Sequence, residues 1–141
     1  MSIVGLKQMF TGSLTMTDQN HLPNAYAAAW SSHSPEAVAA FFAEDGQIQI
    51  NKGEVQKGSS ALRDMAAGFY AAYPDLTVYC DDFRRSGRHA TCIWSFDGHH
   101  AETGKYVRVK GWEEWELTES GKIQASLGWF DAEDEARQIG A

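Results

Sequence analysis

Apolar residues recur at helical spacing through the first half of the chain and alternate through the second. Leu22, Ala25, Tyr26, Ala29 and Trp30 fall on one side of a helix expected from Asp18 to Ser32, with Pro23 in its first turn. Ser34 should cap a second helix that opens on Pro35, carries Ala37, Val38, Phe41 and Phe42 on one side, and stops at Gly46. Ile48 and Ile50 alternate in a short strand. Asn51–Gly58 reads as a turn region with a short strand around Val55. A third helix starts at Ser59 or Ser60, places Leu62, Met65, Ala66, Phe69 and Tyr73 on its apolar stripe, and ends at Pro74.

Four strands follow. Leu76, Val78 and Cys80 share a face, as do Ala90, Cys92, Trp94 and Phe96. Val107, Val109, Gly111, Glu113, Trp115 and Leu117 share another, and the last strand runs from Ile123 to Asp131. Each linker ends in Gly, as tight hairpins prefer. Residues directly opposite in an antiparallel pair point the same way, so the pattern predicts register. Cys80 is expected across from Cys92, Trp94 across from Gly111, Cys92 from Glu113, Glu113 from Leu127, and Gly111 from Trp129. Gly111 would then lie between two Trp rings. The expected fold is α+β: a cone-shaped curved antiparallel sheet, a meander, with three helices packed on its concave face. The cone between sheet and helices is the natural place for a pocket.

The 141 residues suit one domain, expected over residues 17–141, with an N-terminal arm over residues 1–16 that either packs on a neighbour or frays. The arm has neither the basic start nor the apolar run of a signal peptide. A net charge of −7 argues against nucleic acid, whose phosphates need a basic face. No apolar run approaches the ~18 residues of a membrane span. Two cysteines without a signal sequence point to reduced thiols and a cytoplasmic location.

Two acids stand out. In the last strand Ile123, Ala125, Leu127 and Trp129 lead in phase to Asp131, which would continue a greasy face and be hard to ionise. The competing role for Asp131 is the cap of a helix over Asp131–Ile139, since Ala-Glu-Asp-Glu follows it. Glu113 shares its face with Val109, Gly111, Trp115 and Leu117. Buried without a cation it would hold its proton; if the alternation slips, it joins Glu114 and Glu116 in water. Tyr26 lies on the stripe facing the sheet. It is either plain core or the hydroxyl partner of Glu113 or Asp131. His99, His100 and Glu102 share a hairpin tip whose spacing fits no zinc pattern, so no metal site is expected. His100 is in phase with the inner face and would reach the pocket mouth; His33 is expected at an interhelix turn. Cys80 and Cys92 as direct cross-strand neighbours would pair only with strain. No Ser-His-Asp order, phosphate-binding loop or dinucleotide fingerprint is present.

The stretch YAAAWSSHSPEAVAAFFAEDGQIQI, the helix ending FYAAYPDL, and GKYVRVKGWEEWELTESGKIQASLGWFD resemble the nuclear transport factor 2-like superfamily, and within it the SnoaL-like polyketide cyclases. The resemblance spans about Thr17 to Gly140. It implies a cone-shaped barrel, commonly a homodimer packed through the outer sheet face, with Val55, Trp112 and Phe130 as candidate contacts. It implies Asp131 as acid/base at the end of the last strand. By similarity to ketosteroid isomerases it implies Tyr26 and a protonated Glu113 as donors to an oxyanion. The general base of those isomerases falls at Ile50, a departure that argues against ordinary ketosteroid isomerisation.

These expectations combine into an acid–base enzyme of the cyclase/isomerase type without a cofactor, acting on a small hydrophobic carbonyl compound. Asp131 would take a proton beside the carbonyl while Tyr26 and Glu113 donate to its oxygen. Trp30, Ile50, Phe69, Trp94, His100, Trp115 and Trp129 would line the pocket. The alternatives are a non-catalytic ligand-binding or dimeric interaction module, and a hydrolase or dehydratase with a water held between Asp131 and Glu113.

Overall fold

The computed structural model describes residues 11–140. Its elements are α1 (Thr11–Ser31), α2 (Pro35–Ala39), β1 (Phe42–Ile50), β2 (Val55–Lys57), α3 (Ser59–Ala72), β3 (Thr77–Ser86), β4 (His89–His99), β5 (Tyr106–Leu117), β6 (Ile123–Phe130) and α4 (Ala132–Ile139). Residues 1–10 of the expected arm lie outside the described residues. From Thr11 onward the chain is helical, so α1 begins seven residues before Asp18 and Pro23 sits inside the helix rather than in its first turn. Ser34 caps α2 through a bond from the Ala37 N–H at 3.1 Å. The helix then ends at Ala39, and Phe42 opens a strand instead of continuing the stripe.

The six strands lie in the order β2-β1-β6-β5-β4-β3. Neighbours are antiparallel except β1 and β6, which run parallel. The sheet is therefore mixed rather than a pure antiparallel meander. It curves without closing, and α4 adds a fourth helix to the three expected. The core fills the concave side, where α1 packs on β3, α2 and α3 pack together, and Tyr26, Leu62, Tyr73, Trp115 and Ile123 are fully enclosed.

Strand β5 alternates without interruption, with Val107, Val109, Gly111, Glu113, Trp115 and Leu117 facing inward. Its register with β4 is as expected: Trp94 opposes Gly111 and Cys92 opposes Glu113. The other two hairpins differ, and in each a bulge is the cause. Between β3 and β4 the ladder slips at Asp81, so Cys80 opposes Trp94 rather than Cys92, and both thiols are free. Between β5 and β6 it slips at Gln124: Leu117 pairs with Ile123, but Glu116 pairs with Ala125. One extra residue moves every later side chain to the other face. Inward positions after the bulge are Ser126, Gly128 and Phe130, while Leu127 and Trp129 face out at 50% and 43% exposure. Glu113 thus opposes Gly128, and Gly111 opposes Phe130.

Gly111 is needed for close approach, though not between two rings. A Cβ there would come within 2.5 Å of both the Trp94 indole edge and the Trp129 backbone carbonyl. The absence of a side chain at 111 lets the edge of the Trp94 ring come up against β5.

Candidate active site

The cone holds a cavity lined by Tyr26 and Trp30 of α1, Ile48 and Ile50 of β1, Phe69 of α3, Leu76, Val78 of β3, Trp94 and Phe96 of β4, Glu113 of β5, and Gly128 and Phe130 of β6. About 50 Å³ of it admits the centre of a water molecule. The wall is a cage of aromatic rings: Trp30 meets Phe69 edge-on at 5.7 Å, and Phe96 meets Phe130 at 6.1 Å.

Glu113 is the one ionisable carboxyl in this wall, and it is 5% exposed. Three donors converge on its Oε1, each at 2.9 Å: the Tyr26 hydroxyl, the Trp115 indole N–H two residues along the same face, and the Ser126 hydroxyl from the neighbouring strand. Its Oε2 takes a longer bond of 3.2 Å from the same Tyr26 hydroxyl. No cation is in contact with it among the described residues. Burial raises the Glu113 carboxyl above its ordinary value of 4.5; the bonds from Trp115, Ser126 and Tyr26 and the nearby Trp94 indole pull it back without cancelling the rise. Burial, and then the Glu113 charge, push the Tyr26 hydroxyl well above its usual range, so it stays a proton-bearing donor.

With Oε1 already receiving three hydrogens, the proton of neutral Glu113 belongs on Oε2. The same three bonds stabilise the carboxylate once that proton leaves. This is the local chemistry of a group that gives up and takes back a proton inside an apolar site.

Asp131 does not share this site. The bulge at Gln124 puts it out of phase with the inner face, and its carboxyl caps α4 by accepting from the Asp134 N–H at 2.9 Å. It lies instead in a shallow depression with Arg108, Lys110, Trp129 and Asp134. Three other expected lining residues are elsewhere. Trp129 faces outward by the same slip. Trp115 lies fully buried behind Tyr26, at 4.9 Å between ring centres, and acts through its N–H rather than as wall. His100 sits against Tyr73 at the hairpin tip and bonds to Thr103. Trp30, Ile50, Phe69 and Trp94 line the cavity as expected, and Tyr26 meets Glu113. Phe130, assigned to the outer face, is instead 9% exposed and faces in.

Ser126 and Phe130 join the inner face for one reason, since only the bulge turns even positions of β6 inward and alternation within the strand gives no signal of it. His33 bonds through Nε2 to the Leu76 carbonyl at 2.8 Å and stacks on Tyr70, a structural placement. His99 pairs with Asp75 at 2.6 Å. Among the described residues no cluster of three or more metal-ligating side chains occurs, and no helix is long and apolar enough to cross a membrane.

Residues 24–126 match the model of the SnoaL-like domain, and the chain belongs to that family. No curated protein sequence matches it. Several solved structures share the fold. A hypothetical protein with a ketosteroid isomerase-like fold from Catenulispora acidiphila, in complex with trimethylamine, is 23% identical with a TM-score of 0.77 over 83% of this chain and 90% of that one. A proposed polyketide cyclase of Xanthomonas campestris is 17% identical with a TM-score of 0.77, covering 86% and 96%. The epoxide hydrolase/cyclase-like enzyme SalBIII, of pyran ring formation in the polyether salinomycin, is 15% identical with a TM-score of 0.74, covering 84% and 95%.

Proposed function

We propose that this SnoaL-like protein binds a small, mostly apolar carbonyl compound in the cone and promotes its cyclisation or isomerisation by acid catalysis from Glu113. The observation that carries this reading is the three-donor seat of Glu113 Oε1 inside a wall of aromatic rings. It leaves Oε2 to address the ligand. The proton passes from Oε2 to the ligand oxygen, the carbonyl carbon becomes more electrophilic, and either an X–H nucleophile of the ligand adds to it or an adjacent carbon gives up its hydrogen; the proton released in either case returns through water to Glu113 and restores the acid. Tyr26, Trp115 and Ser126 hold the charge left on Glu113. Cyclisation is also the activity named for two of the structural neighbours. Asp131 has no part, so neither a base from the last strand nor a water held between two acids enters the mechanism.

A second reading, ligand binding without turnover, is favoured by the presence of a single carboxyl in the cavity. The two separate in deuterated water. Cyclohexanone incubated with the protein should exchange its α-hydrogens faster than with the Glu113→Gln variant, as read by NMR. Binding without any acceleration over Glu113→Gln would sink the catalytic reading and leave a binding protein.

The reading extends to a homodimer through the outer sheet face. Trp112 and Trp129 oppose each other there, with Leu127 and Tyr106 also exposed. Such apolar surface on a soluble domain usually marks a contact.

A further inference from the structure

Among the described residues, the Trp94 indole nitrogen is the buried side-chain polar atom that no partner reaches. A buried donor left unpaired is costly and calls for an explanation. Trp94 is held in place from both sides: its ring edge lies over Gly111, where no side chain is tolerated, and it packs against Phe96 at 6.2 Å. It lines the cavity together with Glu113. The indole lies near enough to the Glu113 carboxyl to favour its charged form, yet makes no bond of proper geometry to it. The fold has therefore placed two groups side by side in the wall of an apolar cavity. One is an N–H with no acceptor, and the other is a carboxyl oxygen whose partner oxygen is saturated.

We propose that Trp94 Nε1–H and Glu113 Oε2 form a two-donor clasp for one acceptor oxygen of the ligand, making Trp94 the residue that selects for an uncharged carbonyl group. This rests on the reading of Glu113 as a protonated acid. An indole N–H can only donate. A ligand whose polar group is an ammonium brings donors alone and would leave Trp94 unsatisfied. A hydrocarbon would leave both groups unsatisfied. A carbonyl oxygen has two lone pairs and satisfies both at once. The 50 Å³ open to water centres, at ~10–15 Å³ for each water, amounts to space for about three to five waters and suits a compact ring or short chain.

The test uses cyclohexanone and methylenecyclohexane, which differ only by oxygen against CH₂, titrated into the full chain and followed by the indole N–H signals of its five Trp residues. Trp94→Phe assigns the Trp94 signal by its disappearance. That signal should move downfield with cyclohexanone and stay with methylenecyclohexane, and cyclohexanone should bind about tenfold tighter, the equivalent of about 1.4 kcal/mol. Trp94→Phe should cut that preference to about twofold and leave methylenecyclohexane affinity in place. A purely structural Trp94 would instead weaken both probes alike, which overturns the proposal, as does an indole signal that ignores cyclohexanone. If the wild type keeps its preference and Trp94→Phe keeps it too, only the Trp94 assignment falls. If the wild type shows no preference at all, the Glu113 reading falls with it.

Discussion

Tyr26→Phe isolates the bond on which the site depends. The ring is retained, with its edge-on contacts to Trp115 at 4.9 Å and Phe41 at 5.5 Å, and only the hydroxyl that reaches Glu113 is lost. The cost should depend on the charge of Glu113. Where the carboxyl is neutral the lost bond is an ordinary one, worth ~1 kcal/mol; where it is ionised the bond is charge-assisted and worth ~2 kcal/mol. The sign follows from linkage. Burial holds the folded-state Glu113 above its ordinary 4.5, so the folded chain keeps this proton after the unfolded chain has lost it. Its contribution to stability is therefore complete below 4.5 and falls as pH rises through the folded value. Tyr26→Phe removes a bond that favours the carboxylate, raises the folded value further, and widens that window. Urea unfolding of wild type and variant at about pH 4 and about pH 8 should give a destabilisation that grows from ~1 to ~2 kcal/mol between them. A difference that is equal at both pH values, or larger in acid, would refute an ionising Glu113 seated on the Tyr26 hydroxyl.

Two further outcomes follow from where other residues lie. Asp131→Ala should cost ~1 kcal/mol in urea unfolding, the worth of a helix cap, while α-hydrogen exchange of cyclohexanone continues at the wild-type rate; a collapse of exchange would return Asp131 to the mechanism. Trp129→Lys, on an outward side chain at 43% exposure, should leave Tm near that of the wild type and shift sedimentation equilibrium from dimer to monomer; an unchanged mass would remove this face as the contact.

Much of the site was legible along the chain because β5 is regular. Its unbroken alternation is enough to turn Glu113 inward beside Gly111 and Trp115, and helical spacing is enough to aim Tyr26 and Trp30 at it. Periodicity read within one element needs no knowledge of its neighbours. The position of Asp131 could not be read this way. Ile123, Ala125, Leu127 and Trp129 form a clean alternation on paper, yet the bulge at Gln124 breaks it in space. A bulge arises from the match between two strands, so no pattern within one strand reports it. The same holds for Cys80 against Cys92 and for the parallel pairing of β1 with β6.

The chain by itself determined the α+β class, the regular strand that carries Glu113, and the helix face that carries Tyr26, because burial period and backbone geometry are local. Only the tertiary structure decided which acid meets the cavity, which oxygen of Glu113 is saturated, and that the Trp94 N–H is left without a partner, because those depend on register and on three-dimensional convergence of side chains far apart in sequence.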